Sequence, residues 1–164
     1  MKVLFLLRHA KASKEDPALP DILRPLTDGG VLDALKVSEK LKLNKLVPEK
    51  IVSSNAVRAY TTAGIFAQTF KIPVNEIERF RSLYDCEVQD YLDVIYGIKD
   101  SLASCMIAGH NNTITDLAEK LLQKNIEEMK TCGLLIIASE TTEWKSFDSF
   151  PCTLQLELHP SLLK

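Results

Sequence analysis

Short apolar runs separated by segments of helical pattern are the feature that most limits the possible folds of this sequence. Residues 3–7 are five consecutive apolar side chains, a run too short for a typical helix. Residues 50–53 and 104–108 are similar short segments. Runs of this length are typical of strands covered on both faces, as in parallel sheets. The sequence therefore predicts a central sheet that is mostly parallel.

Segments with helical spacing lie between these strands. Thr27 can cap a helix whose apolar residues recur at roughly helical intervals up to Leu41. Further helices are predicted over residues 56–70, 87–98 and 112–123. Because strands and helices alternate along the chain, we expect an α/β fold, a three-layer sandwich with helices on both faces of the sheet.

The last third of the chain has a different pattern. Residues 134–138, 142–147 and 153–158 resemble strands joined by short turns, and residues 74–80 are predicted as another strand. In residues 153–158 every second residue is leucine, which predicts an antiparallel edge strand with its three leucines on one face. The length predicts that residues 1–164 form a single domain.

Composition excludes several classes of function. Lys plus Arg number 20 and Asp plus Glu number 22, so the net charge of -2 provides no basic surface for nucleic acid. The apolar runs are far shorter than the roughly 18 residues of a membrane span. Four cysteines are far apart in the sequence, at Cys86, Cys105, Cys132 and Cys152. They contain no C-x-x-C pair, so we expect reduced thiols, no metal site and a soluble, cytoplasmic protein.

Three of the predicted strands are followed by basic or imidazole side chains. The first leads into Arg8 and His9, the second leads toward Arg58, and the strand at residues 104–108 leads into His110. In an open parallel sheet, ligands bind outside the carboxyl ends of the strands. We therefore expect two histidines and two arginines to converge at one rim.

These four side chains suit the transfer of a phosphoryl group. The planar guanidinium groups of Arg8 and Arg58 match the oxygens of a phosphate. Neighbouring cations disfavour protonation of an imidazole, so His9 is expected to be neutral and able to attack phosphorus. Fixed positive charges stabilise the charge on the equatorial oxygens in the transition state, and His110 can add to them without a metal or cofactor.

The motifs around these residues resemble the signatures of the histidine phosphatase (phosphoglycerate mutase-like) superfamily. They are Leu-Arg-His-Ala at residues 7–10, Ser-Ser-Asn-Ala-Val-Arg-Ala at 53–59 and Gly-His-Asn at 109–111. Arg-Pro-Leu-Thr-Asp-x-Gly at 24–30 and the short chain are most similar to the SixA branch, the phosphohistidine phosphatases. The resemblance implies that His9 accepts the phosphoryl group, that Arg8 and Arg58 bind it, and that His110 stabilises it.

Other residues leave alternatives open. Arg24 is either a third phosphate contact or a loop residue paired with Asp21 or Asp28. Superfamily members that have a general acid place it after a motif resembling L-x-E, and Asp85 falls in the corresponding stretch. Cys105 lies in an apolar strand and is expected to be a core residue. Two asparagines stand where members often carry proline, Asn55 and Asn112.

The sequence thus predicts a metal-independent phosphatase that works through a phosphohistidine intermediate. Its expected substrate is a phosphohistidine-bearing protein, such as a phosphotransfer domain or carrier, and its product is inorganic phosphate. Two alternatives stay open, which are a small-molecule phosphomonoesterase and a phosphoprotein-binding module without turnover. Since Arg8, His9, Arg58 and His110 are all present, the sequence favours an enzyme over the binding module.

Overall fold

Six strands form one twisted sheet in the computed structural model, which describes residues 1–163. The strands are β1 (Lys2–Arg8), β2 (Lys50–Ser54), β3 (Glu78–Phe80), β4 (Ser104–Gly109), β5 (Leu134–Ser139) and β6 (Cys152–Leu158). Their order across the sheet is β3-β2-β4-β1-β5-β6. The first four strands pair in parallel, whereas β5 is antiparallel to both β1 and β6. The predicted parallel sheet with antiparallel pairing at one edge is therefore confirmed.

Within the described residues, four α-helices cover the two faces of the sheet. They are α1 (Asp28–Leu43), α2 (Val57–Phe70), α3 (Val88–Tyr96) and α4 (Thr113–Leu122). Side chains alternate between the faces along β1, as they must in a strand. Phe5 and Leu7 pack in the core under α1 and α2, while Leu4 and Leu6 pack in the core under α3 and α4. The predicted three-layer α/β arrangement is thus confirmed, with an apolar core on each side of the sheet.

The start of α1 is fixed against the segment that follows β1. Thr27 caps the helix as predicted, because its side-chain oxygen accepts a hydrogen bond of 2.9 Å from the Gly30 amide. A Cβ atom on Gly30 would lie 2.5 Å from the carbonyl oxygen of Lys11. Only glycine allows this close approach, which holds the helix against the loop that leaves β1.

Two of the predicted strands differ from the structure. Residues 142–147 were expected to be extended, but the chain forms a 3₁₀ segment at Trp144–Ser149. The rings of Trp144 and Phe147 stack with centroids 5.4 Å apart and are fully buried under α3, so burial of the aromatic rings outweighs the local preference for a strand. Residues 74–80 were predicted as one strand, yet a 3₁₀ turn at Val74–Glu76 leaves only three residues for β3.

A β-bulge divides the apolar face of β6. Leu156 pairs with Ile136 and Leu154 pairs with the next residue, Ile137, so Gln155 is the additional residue. Leu156 and Leu158 pack on the α1–α2 side of the sheet, while Leu154 packs on the α3–α4 side. The antiparallel edge was predicted correctly, but the three leucines do not share one face. Among residues 1–163, no helix has both the length and the apolar character needed to cross a membrane.

Candidate active site

The carboxyl ends of β1, β2 and β4 meet at one rim of the sheet. Arg8 pairs with Gly109 in the parallel register of β1 and β4, so the residues that follow them, His9 and His110, are neighbours. Their rings lie with centroids 5.1 Å apart. The Nε atom of Arg58 lies 3.3 Å from Nε2 of His9. The structure therefore brings His9, His110 and Arg58 into contact, and the charge of Arg8 is close enough to contribute to lowering the pKa of His9.

The hydrogen bonds of His9 define its tautomer. Nδ1 lies 2.7 Å from the carbonyl oxygen of Ala10, which can only accept, so Nδ1 carries the proton. Nε2 accepts from Arg58 Nε at 3.3 Å and therefore has a lone pair. The main chain of His9 is also fixed, because its amide donates to Gly109 and its carbonyl accepts from Cys132. His9 thus presents an unprotonated ring nitrogen from a rigid backbone.

Burial keeps the His9 ring neutral. The residue is only 9% exposed, and desolvation lowers the pKa of its imidazole from 6.5 to about 4. The positive charges of Arg58, Arg8 and Arg24 act in the same direction. The hydrogen bond to Ala10 opposes them, but its effect is smaller than that of burial. At neutral pH, His9 is therefore an uncharged base surrounded by cations.

Arg58 is held in place by Asp21. Its Nη1 donates to the Asp21 carbonyl at 2.8 Å, and its Nη2 donates to the Asp21 carboxylate at 3.0 Å. Arg58 is buried near the start of α2, while the Asp21 side chain is about half exposed. The guanidinium plane is thereby fixed with Nε directed at His9, which a freely rotating arginine would not achieve.

Asp21 links two further side chains to this contact. Its carboxylate accepts from the Tyr84 hydroxyl at 2.7 Å and from Arg24 Nε at 2.9 Å. The hydrogen bond from Tyr84, followed by those from Arg24 and Arg58, lowers the pKa of Asp21 to about 2. Arg24 is therefore a loop residue paired with Asp21, the second of the two alternatives. Its positive charge also contributes to lowering the pKa of His9.

Arg8 is bonded to the segment that precedes β5. Its Nη1 donates to the Met129 carbonyl at 2.6 Å and lies 3.8 Å from the Glu128 carboxylate. Its Nε is buried and has no hydrogen-bond partner within residues 1–163. A buried donor without a partner is costly, so this atom is a candidate contact for an anion.

His110 has one ring nitrogen engaged and one free. Its Nε2 lies 2.8 Å from the Ser54 hydroxyl, whereas its buried Nδ1 has no partner in the described part of the chain. Burial is the largest cause that lowers the pKa of His110 to about 3, followed by repulsion from His9 when that ring is protonated and from Arg58. Since Ser54 can donate to Nε2, a neutral His110 can carry its proton on Nδ1.

Tyr91 positions the main chain of His110. Its hydroxyl accepts a 3.0 Å hydrogen bond from the His110 amide. A Cβ atom on Gly109 would lie 1.8 Å from that hydroxyl oxygen, so the tyrosine reaches His110 only because residue 109 has no side chain. The glycine of the third motif is thus a packing requirement of the site.

A cavity of about 630 Å³ opens beside His110 and Arg58. It is lined by Asp21, Arg58, Tyr84, Asp85, Cys86, His110, Asn111, Asn112, Thr113 and Asp116. Asp85 is exposed on its wall, so the structure places the general-acid candidate beside the site. Residues 1–163 contain no cluster of three or more His, Cys, Asp or Glu side chains that could hold a metal ion.

Three other residues from the sequence analysis have clear positions. Cys105 is fully buried, and burial raises the pKa of its thiol to about 12, so it is a core residue. Asn112 immediately precedes α4, and Asn55 lies between β2 and α2. Both asparagines are therefore in loops at helix starts.

Sequence reasoning did not assign roles to Asp21, Ser54, Tyr84 and Tyr91. Asp21 was considered only as a partner of Arg24, although it also holds Arg58. Ser54 lies inside the second motif, and Tyr84 directly precedes Asp85, so proximity to motifs was the available signal for these two. Tyr91 gave no signal, because it is one of several apolar or aromatic residues on α3.

The chain belongs to the histidine phosphatase superfamily. Residues 4–93, more than half of the sequence, match the model of that superfamily's branch 1. The matched part contains Arg8, His9 and Arg58, but ends before His110.

One sequence relative and several solved structures are similar to this chain over most of its length. An uncharacterized chloroplastic protein of Arabidopsis thaliana is 32% identical over 151 residues, which are 87% of this chain and 68% of that protein. Among solved structures, the SixA protein of Agrobacterium tumefaciens is 24% identical and has a TM-score of 0.81, covering 97% of this chain and 98% of its own. The protein histidine phosphatase SixA complexed with tungstate is 21% identical with a TM-score of 0.84, covering 99% of both chains. The chain therefore has the SixA fold.

Proposed function

We propose that this chain is a metal-independent phosphohistidine phosphatase that transfers the phosphoryl group through His9. The observation that carries this proposal is the unprotonated Nε2 of His9, which is fixed by the bond from Nδ1 to Ala10 and lies beside Arg58. A neutral imidazole with an oriented lone pair is a competent nucleophile for phosphorus. We also propose that residues 1–164 form one domain.

In the first step, Nε2 of His9 forms a bond to phosphorus while the bond to the leaving group breaks and its electron pair departs with that group. In the second step, water attacks the phosphorylated His9, releases inorganic phosphate and restores the neutral ring. Both steps place negative charge on the equatorial phosphoryl oxygens. Fixed donors around His9 stabilise this charge without the reorganisation that water would need.

Three groups are positioned to bind those oxygens. The guanidinium group of Arg58 lies beside His9 and is held in place by hydrogen bonds to Asp21. The buried Nε of Arg8 and the buried Nδ1 of His110 have no partners within the described residues, and phosphoryl oxygens would satisfy both. For His110 this requires the tautomer in which Ser54 donates to Nε2. Arg24 is proposed to contribute its charge while remaining bonded to Asp21.

The leaving group favours phosphohistidine over an alkyl phosphate. An alkoxide must be protonated as it departs, so a phosphoesterase needs a well-placed acid. We propose Asp85 for that role, but it lies exposed on the cavity wall, and no hydrogen bond from residues 1–163 orients its carboxylate. The imidazole of phosphohistidine can be protonated before the bond breaks, so this substrate tolerates a poorly held acid.

The proposed partner is a phosphohistidine-bearing protein such as a phosphotransfer domain or carrier. We propose a cytoplasmic location because all four cysteines are unpaired, as is usual in reducing compartments. The Arabidopsis relative is named as chloroplastic, which is a statement about that protein. Fractionation of the native host would test the location directly.

The test is to trap the phosphorylated enzyme. Wild-type protein mixed with labelled phosphohistidine protein should form an acid-labile, base-stable adduct at His9, because a phosphoramidate has that stability. His9→Ala should form no adduct, whereas His159→Ala, which changes a histidine outside the site, should form it normally. An acid-stable adduct, or a thiol-sensitive one on Cys105, would contradict the mechanism.

The same preparation distinguishes the other two functions. Faster turnover of alkyl phosphates than of phosphohistidine protein would favour a small-molecule phosphomonoesterase. Tight binding of the phosphoprotein with no adduct and no phosphate release would favour a binding module.

A further inference from the structure

Acidic side chains line the cavity beside His110. Four of its lining residues are charged, namely Asp21, Asp85, Asp116 and Arg58. Asp21 and Arg58 form an ion pair of 3.0 Å with each other. Asp85 and Asp116 have no ion-pair or hydrogen-bond partner for their carboxylates within residues 1–163. The remaining cavity is therefore negatively charged.

These two carboxylates come from separate segments that are tied together. Asp85 lies in the turn before α3, and Asp116 lies in the first turn of α4. The hydroxyl of Thr113, at the start of α4, donates to the carbonyl of Cys86 at 2.8 Å. Because each carboxylate is within three residues of this bond, both are held on the wall of one cavity.

A second observation, on His110, points to a ligand for this cavity. His110 also lines it, is only 9% exposed, and has a buried Nδ1 without a partner in the described chain. A phosphoryl group held by His110 and Arg58 would place its substituent beside Asp85 and Asp116. The charge of that substituent then decides how well the substrate binds.

We infer that the site selects phosphoryl compounds whose leaving group is positively charged. This inference rests on the proposed function and narrows its substrate class to N-phosphorylated cations, including protonated phosphohistidine and phospholysine. Phosphate esters with a carboxylate or a second phosphate on the leaving group are disfavoured, because they would bring like charges together.

N-phosphorylated cations are suited to phosphoryl transfer to His9. In such a substrate the nitrogen bonded to phosphorus, or the ring containing it, already carries the extra proton. As Nε2 of His9 bonds to phosphorus, the P–N pair returns to that nitrogen and the leaving group departs neutral. The acidic wall favours the protonated substrate, so it raises the fraction that can react without a proton donor.

Two non-hydrolysable ligands of similar size test this selection. The dissociation constants of 2-aminoethylphosphonate, which has an ammonium tail, and phosphonoacetate, which has a carboxylate tail, are measured by calorimetry. Wild type should bind the ammonium compound more tightly. Asp116→Asn and Asp85→Asn should each shift the ratio of the two constants by about fivefold toward the carboxylate compound.

The variants have matched controls. Glu140→Gln removes the same charge from an exposed residue that follows β5 at the far end of the sheet, so the ratio should stay at the wild-type value. Asn suits residue 85, whose φ of 50° lies in the left-handed region that Asn and Asp both tolerate. Asp116 also stabilises the start of α4, so a melting temperature for each variant separates a folding defect from a change in selectivity.

The selectivity inference fails if wild type binds phosphonoacetate at least as well, if neither phosphonate binds, or if both variants keep the wild-type ratio. Phosphoenzyme formation at His9 is assayed on the same proteins. An adduct with an unchanged ratio overturns the selectivity and leaves the proposed function intact. A shifted ratio without an adduct supports the selectivity and overturns the proposed function.

Discussion

The environment of His9 predicts that this ring contributes to the destabilisation of the folded protein in mild acid, in addition to His110. Burial lowers the pKa of His9 from 6.5 to about 4, so between these values the unfolded chain binds a proton that the folded protein does not. The contribution of neutral His9 to the free energy of unfolding is complete above pH 6.5 and is lost as the pH falls toward 4. One pKa unit corresponds to about 1.4 kcal/mol, so His9 alone should cost roughly 2 kcal/mol between about pH 7 and pH 5.

The assay is the free energy of unfolding from urea denaturation across that range. His9→Gln removes the titrating group, so wild type should lose roughly 2 kcal/mol more than this variant as the pH falls. The buried His110 remains in both proteins and does not account for the difference. His159→Gln serves as the control for loss of a histidine outside the site. An equal pH dependence in wild type and His9→Gln would refute the claim that the site keeps His9 neutral.

Three further predictions concern the cationic site and its support. Arg58→Lys should slow phosphoryl transfer by about 100-fold or more in rapid-quench experiments, because an ammonium lacks the fork that contacts both His9 and Asp21. Gly109→Ala should lower the free energy of unfolding by about 1–3 kcal/mol in urea, since its Cβ would overlap the Tyr91 hydroxyl. Phosphate release should be unchanged by EDTA, and loss of activity that a divalent ion restores would contradict the metal-independent mechanism.

The sheet and the convergence of the site could be predicted because both depend on local patterns. Short apolar runs specify buried strands, and parallel strands bring their carboxyl ends to one rim. Knowing that Arg8, His9 and His110 follow such strands was enough to place them together. The Thr27 cap could also be predicted, because its hydrogen bond is made within three residues.

Other features depend on contacts between distant residues. Trp144 looked extended by its local sequence, yet its indole donates to the carbonyl of Leu102 and its ring stacks on Phe147. The bulge at Gln155 depends on pairing with β5, which the alternation of leucines does not reveal. Asp21 lies 37 residues before Arg58, so its role required the folded arrangement of the loop.

The segment before β5 contains none of the proposed catalytic side chains, yet it holds two of them. The Met129 carbonyl accepts from Arg8, and the Cys132 amide donates to the His9 carbonyl. A chain terminated by a stop codon just before Met129 would still contain Arg8, His9, Arg58 and His110. It would lack these supports and the central strand β5, so a reading frame with every signature motif intact can still encode an inactive protein.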